Sequence, residues 1–97
     1  MLCSADLIIE KDSKNQEYST PTSSRIKLID FGGATHTDES HSSTINTRQY
    51  RGPEVLLKCC QWNEKSDVWS IGCIIMELFT GELLFHVHDD VDHVYMI

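Results

Sequence analysis

The run of apolar residues between positions 68 and 79, VWSIGCIIMELF, constrains the fold more than any other feature of the chain. Ser66 is a favourable helix N-cap and Gly81 a favourable C-terminal stop, so the sequence predicts a helix over residues 66–80. Its apolar residues cover every face, which is typical of a helix that is buried on all sides. Nothing else in 97 residues is large enough to surround it. We therefore expect an incomplete α+β fold, the centre of a larger domain.

Two short strands are predicted before this helix. Residues 7–9 are apolar, and residues 25–29 alternate charged and apolar side chains. We expect the two segments to pair antiparallel. The polar residues 10–24 between them predict a flexible insertion loop. Gly32 and Gly33 are expected to end the second strand with a sharp turn.

A short helix is predicted to begin at Pro53. Gly52 is an acceptable N-cap, proline suits the first helical position, and Glu54 complements the positive end of the helix. The helix is expected to continue to Leu57 or Lys58. Residues 34–46, which are polar and rich in hydroxyl groups, predict an exposed loop between the glycine turn and this helix.

Composition and charge exclude several classes of function. The formal net charge of −7 argues against direct nucleic-acid binding, which needs clustered Lys and Arg. The start of the chain lacks the basic region of a signal peptide, and the apolar run at 68–79 is too short to span a membrane. The spacing of the four cysteines fits neither a disulfide framework nor a Cys-x-x-Cys zinc site; they are Cys3, Cys59, Cys60 and Cys73. We expect a reduced, soluble, intracellular protein without a membrane partner.

The stretch KLIDFGGATH, residues 27–36, carries the first candidate chemistry. Asp30 follows a predicted strand and precedes two glycines that let the backbone approach a ligand closely. A carboxylate in that place can hold a divalent metal that bridges nucleotide phosphates. The commoner use of Asp-x-Gly is a turn in which the aspartate caps its own loop. The tripeptide alone leaves both interpretations open.

Two further blocks decide between them. TRQYRGPE follows at residues 47–54, and DVWSIGC at residues 67–73. The three blocks, in this order and spacing, resemble the protein kinase signature from the DFG motif through the APE motif to the F helix. Gly52 stands where the APE motif usually has alanine.

The same residues resemble one subgroup of protein kinases. TRQYRGPE is similar to the T-R-x-Y-R-A-P-E of the CMGC group, which contains cyclin-dependent and MAP kinases. DFGGATH, DVWSIGCIIMELFTGELLF and HDDVDHVYMI resemble the LAMMER, or dual-specificity CDC-like, kinases. The last segment matches only loosely the first part of the E-H-L-A-M-M-E-R motif of that family. Gly33 replaces a serine that is common there. The resemblance covers nearly the whole chain except residues 11–24.

The resemblance implies a partial protein kinase C-terminal lobe over residues 1–97. Its expected parts are the activation segment over 30–54, the buried F helix over 66–80 and the start of the G helix over 89–97. ATP and Mg²⁺ are the implied cofactors of the complete domain. Asp30 would bind the Mg²⁺, Phe31 would pack in the regulatory spine, and Gly32 would complete the cofactor-binding motif.

The resemblance also implies roles for residues after the DFG motif. Thr47 would support the catalytic aspartate, which the chain lacks, and Asp67 would hold the catalytic-loop backbone. Glu54 would pair with a buried arginine later in the domain. The remaining assignments are activation-loop hydroxyls at Ser42, Ser43 and Thr44, substrate-docking residues at Arg48, Tyr50 and Arg51, and structural residues at Trp69 and Gly72.

Several kinase motifs do not occur in the sequence. There is no G-x-G-x-x-G loop, no V-A-I-K lysine and no H-R-D-x-x-x-x-N loop; residues 1–3 would fall just after the asparagine of that last motif. Phosphoryl transfer depends on these groups, so we expect the 97-residue chain alone to be inactive. We also expect it to fold poorly, because an orphaned buried carboxylate at Glu54 costs about 3–5 kcal/mol.

Alternatives remain at this stage. The chain is expected to be part of a serine/threonine or dual-specificity kinase that phosphorylates arginine/serine-rich splicing factors in the nucleus. The same sequence is compatible with a non-catalytic interaction protein or a decayed copy of a kinase gene. A transition-metal module is a third interpretation, and its ligands would be His86, His88, Asp89, Asp90, Asp92 and His93.

Overall fold

The computed structural model describes residues 6–97, so Cys3 and the rest of residues 1–5 lie outside it. Two strands come first, β1 over Leu7–Lys11 and β2 over Glu17–Pro21. Three helices follow, α1 over Pro53–Leu57, α2 over Lys65–Thr80 and α3 over Asp90–Met96. Single 3-10 turns occur at Phe31–Gly33 and Arg48–Tyr50. The chain divides after Ala34 into a hairpin unit and a helical unit, which extends over Thr35–Ile97. This mixture confirms the predicted α+β class.

The hairpin unit corrects the predicted strand pairing. β1 pairs antiparallel with β2, with Leu7 opposite Pro21 and Lys11 opposite Glu17. Residues 25–29 form no strand, and only Ile26 takes part in an isolated bridge. The prediction of a flexible loop over residues 10–24 was therefore wrong, because residues 10–11 belong to β1 and residues 17–21 form β2. A five-residue connection costs less loop-closure entropy than the long one that was expected.

Asp12 explains why the hairpin turns where it does. Its Oδ1 accepts hydrogen bonds from the backbone N–H groups of Lys14 and Gln16, each at 2.8 Å. Asn15 adopts a left-handed conformation with φ of 64°, which asparagine tolerates better than most residues. Lys11 and Glu17 close the turn with an ion pair at 3.3 Å. These are local turn signals that periodicity alone does not detect.

The helical unit follows the predicted boundaries closely. α1 begins at Pro53 with Gly52 as its N-cap, as expected. α2 begins at Lys65 with Glu64 as its N-cap, so the assignment of Ser66 as the cap was wrong by two residues. Gly81 ends α2 with φ of 78°, a conformation that suits glycine. Asp89 caps α3, accepting a hydrogen bond from the backbone N–H of Asp92 at 2.8 Å.

The core of the helical unit is small. Cys73, Phe85 and Val87 are buried together, and Tyr50 and Trp69 pack against them. The Trp69 and Phe85 rings stack with centroids 6.1 Å apart. Val55 and Leu56 of α1 are also buried, and α1 packs against α3.

The chain covers little of α2. Only Ser66 and Cys73 of this helix are buried, whereas Val68, Ile71 and Leu78 are 65%, 53% and 66% exposed. The helix is therefore present as predicted but is not buried on all sides by these residues. The physical reason is the one expected from the sequence: no other described element is large enough to cover it. Among the described residues, no helix is both long and apolar enough to cross a membrane.

Candidate functional site

Asp30 lies at a tight turn of the hairpin unit. It adopts φ of 62° and ψ of 68°, a left-handed conformation, immediately before the 3-10 turn Phe31–Gly33. Such conformations are uncommon for residues with a Cβ and are found disproportionately at functional sites. The sharp turn was expected at the glycines, but neither Gly32 nor Gly33 has a positive φ. Asp30 itself makes the turn.

The Asp30 carboxylate is open to solvent. Asp30 is exposed, and a Cβ atom on residue 32 would lie 3.6 Å from its Oδ1, which is an ordinary van der Waals contact. Mg²⁺ is usually held by one or two carboxylates together with substrate phosphates and water. One exposed carboxylate beside a glycine fits that requirement. Phe31 is also exposed within this unit, at 68%.

The loop before Thr47 is attached to the connection between α1 and α2. The Trp62 Nε1–H donates a hydrogen bond to the carbonyl of Ser42 at 2.7 Å, and the His41 ring lies 4.8 Å from the Trp62 ring. The side chains of Ser42, Ser43 and Thr44 are exposed, so the hydroxyl groups predicted in the activation loop are accessible.

Arg48 and Arg51 converge on a single carboxylate of α3. Arg48 Nη1 lies 2.9 Å and Arg51 Nη1 3.4 Å from Asp90 Oδ1. Arg51 Nε also donates to the carbonyls of Ile45 and Asn46, at 3.0 and 3.1 Å. Two predicted docking residues are thus held by the segment predicted to begin the G helix.

Tyr50 connects the same segment to α2. Its hydroxyl group donates to Glu77 Oε2 at 2.6 Å, and its carbonyl accepts a hydrogen bond from Ser70 Oγ at 2.9 Å. The hydrogen bond to Glu77 raises the pKa of Tyr50, and burial adds to the effect. The Asn46 side chain donates to Ser70 Oγ at 3.0 Å. Residues 46–51 therefore have a fixed position on α2 and α3.

Glu54 and Ser66 join α1 to the start of α2. The Ser66 hydroxyl group, which is buried, donates a hydrogen bond to Glu54 Oε1. The Glu54 carboxylate lies over Gly52, where an added Cβ would be only 2.6 Å from its oxygens. Glycine at 52 thus permits this orientation of Glu54, which alanine would oppose.

A cavity of about 770 Å³ lies beside this contact. Glu54 and Lys65 contribute charged groups to its wall, and Trp69 and Phe85 contribute aromatic surface. Trp69 Nε1 is buried without a hydrogen-bond partner. The cavity is therefore a mainly apolar space near the unpaired Nε1–H of Trp69. It also borders Glu54, the residue for which the sequence predicted an arginine partner.

Comparison with known proteins identifies the family. The protein kinase domain family matches residues 4–97. The chain belongs to the protein kinase family. Dual specificity protein kinase lkh1 of Schizosaccharomyces pombe is 45% identical over 97 residues, all of this chain and 14% of lkh1. Dual specificity protein kinase CLK4 of Homo sapiens is 42% identical over 94 residues, 96% of this chain and 19% of CLK4.

A solved crystal structure of a kinase domain shows the same fold. It is 45% identical in sequence and superposes with a TM-score of 0.77 over 91% of this chain, which corresponds to 26% of that domain's chain. The chain spans less than a fifth of the full length of lkh1 and of CLK4. The predicted resemblance to LAMMER kinases is confirmed, as is the partial kinase fold.

The structure brings together some of the predicted kinase residues. Arg48, Tyr50 and Arg51 lie in one hydrogen-bonded segment, and Glu54 in α1 accepts a hydrogen bond from Ser66 at the start of α2. Asp67 is exposed in the first turn of α2, and Gly72 borders the cavity. Thr47 is the exposed N-cap of the 3-10 turn Arg48–Tyr50.

Sequence reasoning missed three contacts of this region. They are the Ser66 hydrogen bond to Glu54, the Asp90 bridge to both arginines, and the attachment of the loop through Trp62. Each joins residues at least 12 positions apart, so no local spacing signals it. The transition-metal interpretation gains no support, because no group of three or more His, Cys, Asp or Glu residues is arranged to hold a metal ion in the described part of the chain.

Ser66 is expected to stabilise the kinase fold through Glu54. We define the graft as lkh1 in which the aligned segment is replaced by this chain. In the graft, Ser66→Ala should reduce the free energy of unfolding by about 1–3 kcal/mol, because it removes one hydrogen bond to a partly buried carboxylate. Urea denaturation measures the change. Ser43→Ala, at an exposed serine, is the control, and equal effects of the two substitutions would contradict the assignment.

His93 is expected to make the kinase fold sensitive to acid. It is fully buried, and neither ring nitrogen has a partner. Burial lowers the pKa of His93; Asp90 opposes this, whereas Arg51 and Arg48 add to it. The folded state therefore keeps the ring neutral, whereas the unfolded chain gains a proton below about pH 6.5. The contribution of His93 to stability is fully present above that pH and falls as the pH decreases.

The measurement compares the graft with its His93→Leu variant. The free energy of unfolding of the graft should fall by up to about 1.4 kcal/mol per pH unit more than that of the variant below pH 6.5. His88→Leu removes an exposed histidine and should retain the steep dependence. Parallel pH profiles of the graft and His93→Leu would disprove the assignment.

Proposed function

We propose that this chain is the central C-lobe segment of an ATP-dependent protein kinase of the LAMMER type. The observation that carries the proposal is the conjunction of the Asp-Phe-Gly turn, the TRQYRGPE segment and α2 in one chain that matches the kinase domain over residues 4–97. Relatives with this segment are described as dual specificity and serine/threonine kinases. The proposed activity is therefore transfer of the ATP γ-phosphoryl group to protein hydroxyl groups.

The proposed role of Asp30 is to hold Mg²⁺ on the ATP phosphates in the complete domain. When bound, the metal neutralises charge that develops on the transferred phosphoryl group. The left-handed turn at Asp30 and the exposure of its side chain support this role. Phe31 and Gly32 are proposed to complete the cofactor-binding motif.

The proposed substrate-facing segment is Thr47–Arg51 together with the start of α3. Tyr50 is hydrogen-bonded to Glu77 of α2, and Arg48 is hydrogen-bonded to Asp90 of α3. The exposed Thr47 is proposed to support the catalytic aspartate of a complete domain. Asp67 is proposed to hold the catalytic-loop backbone by charge-assisted hydrogen bonds.

Arginine/serine-rich proteins are the proposed substrates. The chain has 15 acidic and 8 basic residues, so its field attracts an arginine-rich peptide rather than repelling it. Asp89 and Asp92 are exposed beside the segment that carries Arg48 and Arg51. We extend the proposal to residence in the nucleus, on the LAMMER resemblance alone.

Phosphoryl transfer by the graft tests the proposed function. The graft should phosphorylate an arginine/serine peptide, and the same peptide with lysine and alanine in place of arginine and serine should be inactive. The 97-residue chain alone should transfer no phosphate, because it lacks the phosphate-binding loop, the lysine and the catalytic loop. A well-folded but inactive graft would overturn the kinase proposal and favour a non-catalytic interaction protein.

The size of the natural protein provides an independent test. An antibody against residues 11–24, which are largely exposed, should detect a band several times larger than 11.1 kDa. A band near 11 kDa would show that the natural product cannot catalyse the reaction by itself.

A further inference from the structure

Two adjacent cysteines occupy the connection between α1 and α2. Cys59 and Cys60 are exposed free thiols, whereas Cys73 is buried. Successive side chains of an extended backbone point to opposite sides. The backbone bends at these two residues, and their sulfur atoms lie only 3.9 Å apart. Both thiols are therefore within reach of one external atom.

The separation of the two sulfur atoms suits chelation better than a disulfide bond. A disulfide needs the sulfurs about 2.05 Å apart and usually joins Cα atoms about 4.4–6.8 Å apart. The Cα atoms of adjacent residues are about 3.8 Å apart, so a direct bond here is strained and easily reduced. Two sulfurs bound at about 2.3 Å to one tetrahedral centre lie about 3.8 Å from each other. That distance is close to the one between Cys59 and Cys60.

We propose that Cys59 and Cys60 form a dithiol site that binds soft, thiophilic centres, namely d¹⁰ metal ions and trivalent arsenicals. Thiolates are the protein ligands that such centres prefer. Among the described residues no third His, Cys, Asp or Glu completes the group, so a bound metal ion keeps external ligands in its other positions. The site does not depend on the kinase chemistry proposed above, and neither cysteine has a part in that chemistry.

The reaction with phenylarsine oxide illustrates the chemistry of the site. Each sulfur forms one bond to arsenic, the arsenic–oxygen bond breaks, and the two thiol protons leave with the oxygen as water. Arsenic stays trivalent, so no oxidant or reductant is needed. A metal ion binds the thiolate form of cysteine, so its capture releases protons and weakens as the pH falls.

Intact-mass spectrometry of the full chain in native buffer tests the proposal with phenylarsine oxide as the probe. We expect one arsenic adduct that survives an approximately 100-fold excess of glutathione, because two linked bonds bind far more strongly than one. The dithiol 2,3-dimercaptopropanol should remove it. Cys59→Ser and Cys60→Ser should each abolish this resistance to glutathione. Cys3→Ser and Cys73→Ser, the matched controls, should retain it.

The metal part is tested with Cd²⁺ by the ultraviolet thiolate-to-metal charge-transfer band. The chain should show the band, and Cys60→Ser should lose it; no Cd²⁺-dependent band in the chain would overturn the metal part. An adduct that glutathione removes as readily from the chain as from the single-cysteine variants would overturn chelation. An adduct that forms only after unfolding in urea would contradict the claim that both thiols are accessible in the folded chain. Loss of kinase activity in the graft would change none of these results.

Discussion

Asp30→Asn in the graft is expected to reduce phosphoryl transfer by at least about 10²–10³-fold, the usual cost of removing one group that stabilises charge in the transition state. Asparagine has nearly the shape of aspartate and tolerates the left-handed conformation at residue 30, so the turn should survive. What is lost is the negative charge that the proposal assigns to Mg²⁺ binding. The measurement is the initial rate of phosphate transfer to an arginine/serine peptide at saturating ATP.

The control for this experiment is Asp38→Asn. Asp38 is an exposed aspartate in the polar loop that follows the DFG turn. Its substitution removes the same negative charge without changing the proposed metal site. We expect activity within about twofold of the graft, because exposed charges are largely screened by salt. Raising the Mg²⁺ concentration should partly restore the rate of Asp30→Asn if weakened metal binding is the cause. Full activity of Asp30→Asn would remove Asp30 from the proposed metal site.

The helical unit was more predictable from the sequence than the hairpin unit. The start of α1 and the end of α2 follow from Gly52, Pro53 and Gly81, whose backbone preferences act locally. The pairing partner of β1 was predicted wrongly because more than one nearby segment could pair with such a short apolar strand. The decisive residues, Asp12 and Asn15, act through turn geometry rather than through periodicity.

The candidate site was predictable as a set of residue types, but its geometry was not. The motifs selected Arg48, Arg51 and Glu54 from their order along the chain. They gave no indication that Asp90 forms ion pairs with both arginines or that Ser66 donates a hydrogen bond to Glu54. Contacts between residues so distant in sequence depend on how helices pack, which a single sequence encodes only indirectly. Residues 46–51 owe their fixed position to the contacts of Tyr50 with α2 and of both arginines with Asp90, rather than to local conformational preferences.

Leu78→Ala is expected to have little effect in the isolated chain and a large destabilising effect in the graft. In the chain Leu78 is 66% exposed, so its truncation removes little packing and should leave the far-ultraviolet circular dichroism unchanged. In the graft we expect the kinase elements of lkh1 to cover α2. Truncation of a buried leucine then costs about 2–5 kcal/mol through lost burial and the cavity that remains. Tyr18→Ala, at an exposed residue of β2, should be near neutral in both.

The same comparison tests whether the chain folds by itself. Five apolar residues of α2, Val68, Ile71, Ile75, Leu78 and Phe79, are more than half exposed, which is far from the arrangement that stabilises an apolar helix. We therefore expect the 97-residue chain to melt gradually and to bind the dye ANS, whereas the graft melts cooperatively and does not. A sharp melt of the isolated chain, with Leu78→Ala as costly there as in the graft, would show that α2 is already covered within these 97 residues. A gradual melt, together with a loss of about 2–5 kcal/mol only in the graft, would show that α2 needs the other kinase elements for its burial.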